Sequence, residues 1–486
     1  MPTDIYDVAI VGAGPAGLFA AQSILEGAEN LSAIILDRGP GVGSRRCPAD
    51  NRGCHDCKVC TVLCGIGGAG LHSDGKLVLD LDSGGHLNEF ADLSSTQAAE
   101  LVQTVERTLR RFDGKSEEGP QIPNDQAEDE RNRYRDHGLE LKLYPVRHLG
   151  TLNLQQILGR FVEHLKNTTG PRGSTVVVHT KREVVAIQRS ADGFNLRTSR
   201  GSVGARRVVL AIGKSGAQAA RRLLKTAGVA EVVRPVWIGV RIQVEAEAAR
   251  ELMALSFDPK ISVTDERGRV KTHCFCRNGS LLIMKYRNAY LVGGHSPYTV
   301  YNRSQWNSWP GGSTAKVNFN VLASRYLDDS TVQEVLDTFR RAGGKSVVAQ
   351  DMASFLEPDR LLPDIGAALE NRVPAKTADI RSILDSYLGI GTSIANFLRN
   401  LASLHPGLVA PDNIVYAPAM EWDYGTLEVN SEMETLVHGL YAVGDGAGLS
   451  QGIVHAGATG LLAGQAICRE LGSPHPEDAS QTVGRA

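Results

Sequence analysis

The chain predicts an α/β architecture, a parallel sheet interrupted by a long insertion, on three observations. The apolar run Tyr6–Val11 ends in Gly12-Ala13-Gly14-Pro15-Ala16-Gly17, and a second apolar run, Ser32–Leu36, ends in Asp37. A matching strand-and-glycine pattern, Gly439–Gly448, returns only near the C-terminus. Strands covered on both faces read as unbroken apolar runs rather than as alternation, so these segments suit the interior of a parallel sheet.

Each element follows in order. After the first glycine turn a helix is expected from Leu18 to Leu25, and Asp37, twenty residues beyond Gly17, closes a βαβ unit. Residues 38–76 read as a long Gly- and Cys-rich loop, and loops of that length inside compact domains are usually functional. Residues 95–112 read as a helix. The stretch 116–137, with seven acidic and three basic residues, reads as a solvated excursion. Leu154, Ile157, Leu158, Phe161, Val162 and Leu165 recur at helical spacing over 153–167. Val176–His179, Glu183–Ile187 and Phe194–Thr198 read as a three-stranded antiparallel meander, followed by a strand from Arg207 that ends at Gly213.

From 234 to 410 the pattern changes to alternating strands (Trp237–Val244, Leu281–Tyr286, Ala315–Asn320) with helices near 331–342 and 391–402. The expected organisation is therefore discontinuous. Residues 1–233 and 411–486 form a Rossmann-like cofactor domain, and 234–410 form an inserted mixed α+β substrate domain. A long helix is expected from about 452 to 470, with Gly457, Gly460 and Gly464 allowing close packing.

Composition narrows the function. In 486 residues, 42% are hydrophobic and 22% charged, as in soluble globular proteins, while 52 glycines exceed the usual level of about 7%. With 52 basic and 54 acidic side chains the net charge is −2, so no basic excess exists to neutralise a phosphate backbone, and no nucleic acid is expected as partner. No basic n-region opens the chain and no apolar run reaches membrane-spanning length, so a cytoplasmic location and no membrane partner are expected.

The glycine positions carry the first chemistry. Gly12 permits the tight turn, Gly14 lets backbone reach a pyrophosphate, and Gly17 lets helix and strand approach, with Ala16 in the same turn. The helix N-terminus then faces the anion with unpaired N–H groups, and Asp37, followed by Arg38, can accept both ribose hydroxyls. The C-terminal pattern favours FAD over NAD. Asp445, after Gly444, can accept from ribityl hydroxyls, and a helix beginning at Gly452 and Ile453 can stabilise charge at the flavin N1/O2 edge. No second G-x-G-x-x-G follows a strand between 80 and 430. Electrons must then come from the substrate, from free NAD(P)H, or from a redox partner protein.

These motifs resemble the flavoproteins of the glutathione-reductase fold. Within that group the chain is similar to the FAD-dependent dehydrogenases (NAD(P)/FAD-dependent oxidoreductases). The likeness runs through Gly67-Gly68-Ala69-Gly70 with Ser73-Asp74-Gly75-Lys76, Ile212-Gly213-Lys214-Ser215-Gly216, Ile238-Gly239-Val240-Arg241 and Gly444–Gly448. The resemblance implies an FAD-dependent oxidoreductase moving a hydride between a small organic substrate and flavin N5. A flavin and iron–sulfur electron-transfer protein and an FAD-dependent monooxygenase are the alternatives.

Cys54, Cys57, Cys60 and Cys64 have the spacing C-x2-C-x2-C-x3-C of ferredoxin-type cluster ligands, with Cys47 nearby. Three readings stay open for them: an iron–sulfur cluster or zinc, reduced structural thiols, and redox-active thiols or a disulfide. His455 and His72 are the candidate catalytic proton carriers, with His295 behind them. Glu421, Trp422 and Tyr424 are expected near a substrate cleft, and Cys274 and Cys276 as small apolar core residues of one strand face.

Overall fold

Two sheets with opposite habits organise the protein. The computed structural model describes residues 4–48, 53–85, 87–90, 93–114, 127–226, 229–296, 316–363, 365, 373–421 and 425–472. Residues 116–126 of the acidic stretch, and Trp422 and Tyr424, lie outside these.

The first sheet is seven-stranded. Its parallel part runs Thr175–His179, Ser32–Leu36, Asp4–Val11, Gly201–Leu210, with Leu440–Ala442 also parallel on the last of these. The long Gly201–Leu210 strand then carries Gly193–Thr198 and Val184–Ser190 as an antiparallel extension. This corrects the expected meander: Thr175–His179 belongs to the parallel sheet, and the third meander strand is Gly201–Leu210 itself. Val8, Ala9, Ile10, Ile34, Ile35, Val208 and Val209 are buried, as continuous apolar strands require.

Helices cover this sheet. The first, Pro15–Gly27, packs along the last, Ile453–Gly472, and a Cβ at Gly460 would lie 2.0 Å from the Ala16 carbonyl oxygen. Only glycine permits that approach. Helices Ser95–Arg111 and Thr151–Asn167 complete the layer, the former opened by a capping box from Ser94 and Gln97.

The second sheet is eight-stranded: Ala375–Thr377, Val347–Asp351, Ile414–Glu421, Val236–Glu245, Lys316–Arg325, Gly268–Arg277, Lys260–Asp265, Glu140–Lys142. It therefore takes one strand from before residue 234 and one, Ile414–Glu421, from beyond 410. All its pairings except the first are antiparallel. Asp329–Gly343 and Ile390–Ala402 pack against it through Leu336, Phe339, Ile394 and Phe397. Part of the acidic stretch is ordered as a helix, Ala127–Asp136, because Tyr134 is fully buried and bonded to His405. One anchoring aromatic overrides a hydrophilic composition. Among the described residues no helix is long and apolar enough to cross a membrane.

Candidate functional site

The cleft between the two sheets has a volume of about 350 Å³ and is walled by backbone-rich turns. The first turn comes from the βα junction. Gly12 has φ +108, and Gly17 sits so near it that a Cβ would lie 2.0 Å from the Gly12 oxygen, so the helix begins directly behind the strand. The helix N-terminus has Gly14 as its cap with no side-chain partner, leaving N–H groups directed at the cleft. Gly12, Gly14 and Ala16 line the cleft, whereas Gly17 serves the packing behind it.

Asp37 ends the second strand, and its carboxylate, largely buried, accepts from the Ala13 and Gly39 amides at 2.8 and 2.7 Å. Arg38 extends along the rim, donating to the Ser215 carbonyl at 3.2 Å and to Cys64 Sγ at 3.1 Å. Gly213 and Gly452 both have positive φ, and a Cβ built on either would meet no protein atom within 4 Å. Together with Gly14, which has only Gly68 near it at 3.8 Å, they leave a glycine-lined channel. Gly444, Asp445 and Ile453 close its far wall. Asp445 is half-buried, with Ser450 Oγ donating to it at 3.0 Å, and loss of hydration pushes its carboxyl up to about 6.

The sequence-derived proton carriers stand behind this wall. His72 ends the short 3-10 turn Ala69–His72, whose Gly70 lines the cleft, and its ring is driven down to about 4 by burial and by Arg45. His455 is fully buried, with Nε2 2.9 Å from the Asp80 carbonyl oxygen; its neighbour Ala456 reaches the cleft. His295 is bonded through Nδ1 to Thr151 Oγ1 at 3.1 Å. Glu421 does line the cleft, tied to Gln451 and lying 3.6 Å from Lys214 Nζ.

The cysteine run does not gather into a ligand set. Among the described residues the sole trio of His, Cys, Asp or Glu side chains with ligating atoms mutually within 4.8 Å is Asp74, Cys274 and Cys276. Cys64 faces Arg38 and Ser215, while Cys54 is fixed by its amide to the Lys345 carbonyl. Cys54, Cys57, Cys60 and Cys64 as folded do not converge as the four thiolates that a ferredoxin-type cluster or a four-cysteine zinc site needs.

Two features escaped the sequence. Arg45 is a buried guanidinium that donates to the carbonyls of Thr61, Val62, Ile66 and Gly68 at 2.6–2.9 Å, so one side chain folds the cysteine loop against the cleft. Burial lowers its pKa to about 10. The second is a polar core at the cleft's inner end. Lys76 Nζ lies 2.9 Å from Asp74 and 3.4 Å from Asp258, and Asp258 also accepts from Tyr144 and Lys260, each at 2.7 Å. Cys274, expected as apolar core, lines the cleft beside this group. Cys276 is buried, but as a partner of Arg241 at 3.0 Å rather than of apolar side chains.

No protein-family model matches the chain, and no curated protein matches it. Among solved structures it is similar to glycine oxidase from Geobacillus kaustophilus, at 16% identity over 96% of this chain and 95% of that one, with a TM-score of 0.41. NikD, an amino acid oxidase of nikkomycin biosynthesis, aligns at 12% identity over 98% and 96% with a TM-score of 0.43. The E. coli quinol fumarate reductase subunit FrdA aligns at 14% identity over 100% and 74% with a TM-score of 0.41.

Proposed function

We propose that the protein is an FAD-dependent oxidoreductase acting on a small organic substrate. The observation that carries this reading is the glycine-lined channel with two carboxylates on it, the buried Asp37 and the half-buried Asp445, and an uncapped helix N-terminus beside Gly14. That donor set suits an extended dinucleotide: N–H groups for the pyrophosphate, Asp37 for the adenosine ribose, Asp445 for the ribityl chain. When bound, the flavin supplies a two-electron acceptor or donor at N5.

The chain's own residues do the rest. The helix Ile453–Gly472 presents its N-terminus to the channel with no acidic residue in its first turn, which favours negative charge there. The Asp74–Lys76–Asp258 network holds a buried ammonium between two carboxylates at the inner end, where a polar substrate group would be fixed in orientation. Glu421 and Lys214, 3.6 Å apart, also line the cleft. The organisation 1–233, 234–410 and 411–486 is proposed as a division along the chain, with Glu140–Lys142 and Ile414–Glu421 lent to the second sheet from outside 234–410 and the substrate entering between the sheets.

The test is direct. Purified protein should be yellow and release one noncovalent FAD per chain on denaturation, and anaerobic mixing with substrates should bleach the flavin band. Colourless protein that neither carries nor takes up flavin removes the proposal.

A further inference from the structure

The strand Gly268–Arg277 breaks its register between His273 and Cys276, and Cys274 within the break has φ +56. In a regular strand residues two apart are separated by about 6.5–7 Å along the chain, whereas here the Cys274 and Cys276 sulfurs are 3.8 Å apart. A non-glycine residue at positive φ is uncommon and is held only by its surroundings. The surroundings are charged. Arg241, fixed by Asn318 at 2.6 Å and Asn320 at 2.9 Å, donates to Cys276 Sγ at 3.0 Å and to the Cys274 carbonyl at 3.2 Å. Lys76 Nζ lies 3.9 Å from Cys274 Sγ, and Cys276 Sγ lies 3.4 Å from Asp74 Oδ2.

We propose that Cys274 and Cys276 are a redox-active dithiol, with Cys274 as the attacking thiolate and Cys276 as the resolving one, oxidised by small disulfides that enter the cleft. Cys274 is half-buried and lines the cleft, while Cys276 is buried behind it. The hydrogen bond from Cys276, together with the Lys76 ammonium, holds the Cys274 thiol below its ordinary range against the opposing effect of burial, and burial keeps Cys276 well above it. A thiolate that lines an open cleft, beside cations and a protonated neighbour, is the arrangement that thiol–disulfide exchange requires.

The chemistry balances. Cys274 Sγ attacks one sulfur of an external disulfide; that bond breaks, one external thiolate leaves and takes up a proton, and a mixed disulfide forms on Cys274. Cys276 then gives up its proton and attacks Cys274 Sγ, and the second external thiolate leaves with that proton. Two protein thiols are oxidised to one disulfide and one external disulfide is reduced to two thiols. A metal ion at Asp74, Cys274 and Cys276 is opposed by the geometry. Lys76 Nζ stands 2.9 Å from Asp74, and the Arg241 guanidinium stands against Cys276, where a divalent cation would meet two positive charges.

The experiment uses the full-length protein equilibrated in glutathione buffers of graded oxidation, trapped with N-ethylmaleimide, digested and mapped by mass. The expected result is a dithiothreitol-reversible cross-link within the peptide holding Cys274 and Cys276. It is mapped separately from any bridge among Cys47, Cys54, Cys57, Cys60 and Cys64. Cys276→Ser should accumulate glutathione on Cys274 without resolving it, and Cys274→Ser should leave Cys276 unmodified. Both thiols staying reduced while other cysteines oxidise would overturn the proposal. So would zinc retained stoichiometrically by the wild type and lost in each serine variant. Should the serine variants fail to fold, the wild-type map decides alone.

Discussion

The Asp37 carboxylate holds the Ala13 amide: one oxygen accepts from Ala13 N–H at 2.8 Å and the other from Gly39 N–H at 2.7 Å. The residue that ends the second strand thus fixes the turn after the first. Asp37→Ala removes this clamp and, with it, the carboxylate proposed to accept from the ribose. Hydrogen bonds to a charged group contribute about 1.5–3 kcal/mol, so FAD retention should fall roughly ten- to a hundredfold. Titration of flavin into deflavinated wild type and variant reads the ratio; equal affinity would remove Asp37 from the site.

Asp445 yields a pH prediction. Its carboxyl is raised from 3.8 to about 6 mainly by burial, with Glu421 adding to the rise and Ser450 opposing it. The folded state therefore holds this proton in the range where the unfolded chain has released it. The contribution is fully favourable below pH 3.8 and is lost as pH rises through 6, about 3 kcal/mol in all at 1.36 kcal/mol per unit. Asp445→Asn should accordingly stabilise the flavin-free protein above pH 6 while weakening FAD binding, because the amide replaces a charged acceptor. Melting of both proteins without flavin at pH 5 and pH 8 tests the sign: the variant's gain should appear at pH 8 and shrink at pH 5.

Arg45 should matter out of proportion to its distance from any reacting atom. Its guanidinium donates to the carbonyls of Thr61, Val62, Ile66 and Gly68 from a buried position. Arg45→Ala leaves buried acceptors unpaired, at about 1–3 kcal/mol for each one that water does not reach. Proteolysis within 45–68 should speed up strongly in the variant while the parallel sheet stays intact. Unchanged cleavage would mean that the loop is held by other contacts.

Gly460→Ala isolates the helix contact. Alanine adds roughly 1 kcal/mol of helix propensity, but its methyl would lie 2.0 Å from the backbone oxygen of Ala16, which has no side-chain freedom to yield. Overpacking costs about 1–3 kcal/mol. The net effect should be a lower melting temperature, with flavin affinity also reduced because Ala16 lines the cleft.

The parts of the site that depend on local backbone geometry were legible in the sequence. Gly12, Gly14, Asp37, Gly213, Asp445 and Gly452 all face one cleft, since each occupies a strand end or helix start whose position the apolar runs define. What stayed hidden depends on long-range partners. Thr175–His179 is as apolar as a meander strand would be, and nothing local tells that its neighbour is Ser32–Leu36. Cys274 and Cys276 were read by strict alternation, and a bulge at a non-glycine residue defeats that rule. Arg45 gave no signal because its acceptors are backbone carbonyls 16 to 23 residues away.

His72 and His455 remain to be weighed as proton carriers. An acid or base in the transition state must lie within hydrogen-bond reach of the proton it moves, directly or through one water. His455 Nε2 is bonded to the Asp80 carbonyl and neither ring lines the cleft, although Gly70, Ser73 and Ala456 beside them do. The lowering of His72 to about 4 also keeps it neutral at ordinary pH, so it could act there only as a weak base. His72→Gln and His455→Gln should each keep FAD and leave the rate of flavin reduction by substrate within about threefold of wild type. Loss of a general acid or base costs about a hundredfold or more. A drop of that size in either variant, with flavin content unchanged, would return the role to that histidine and require it to swing into the cleft.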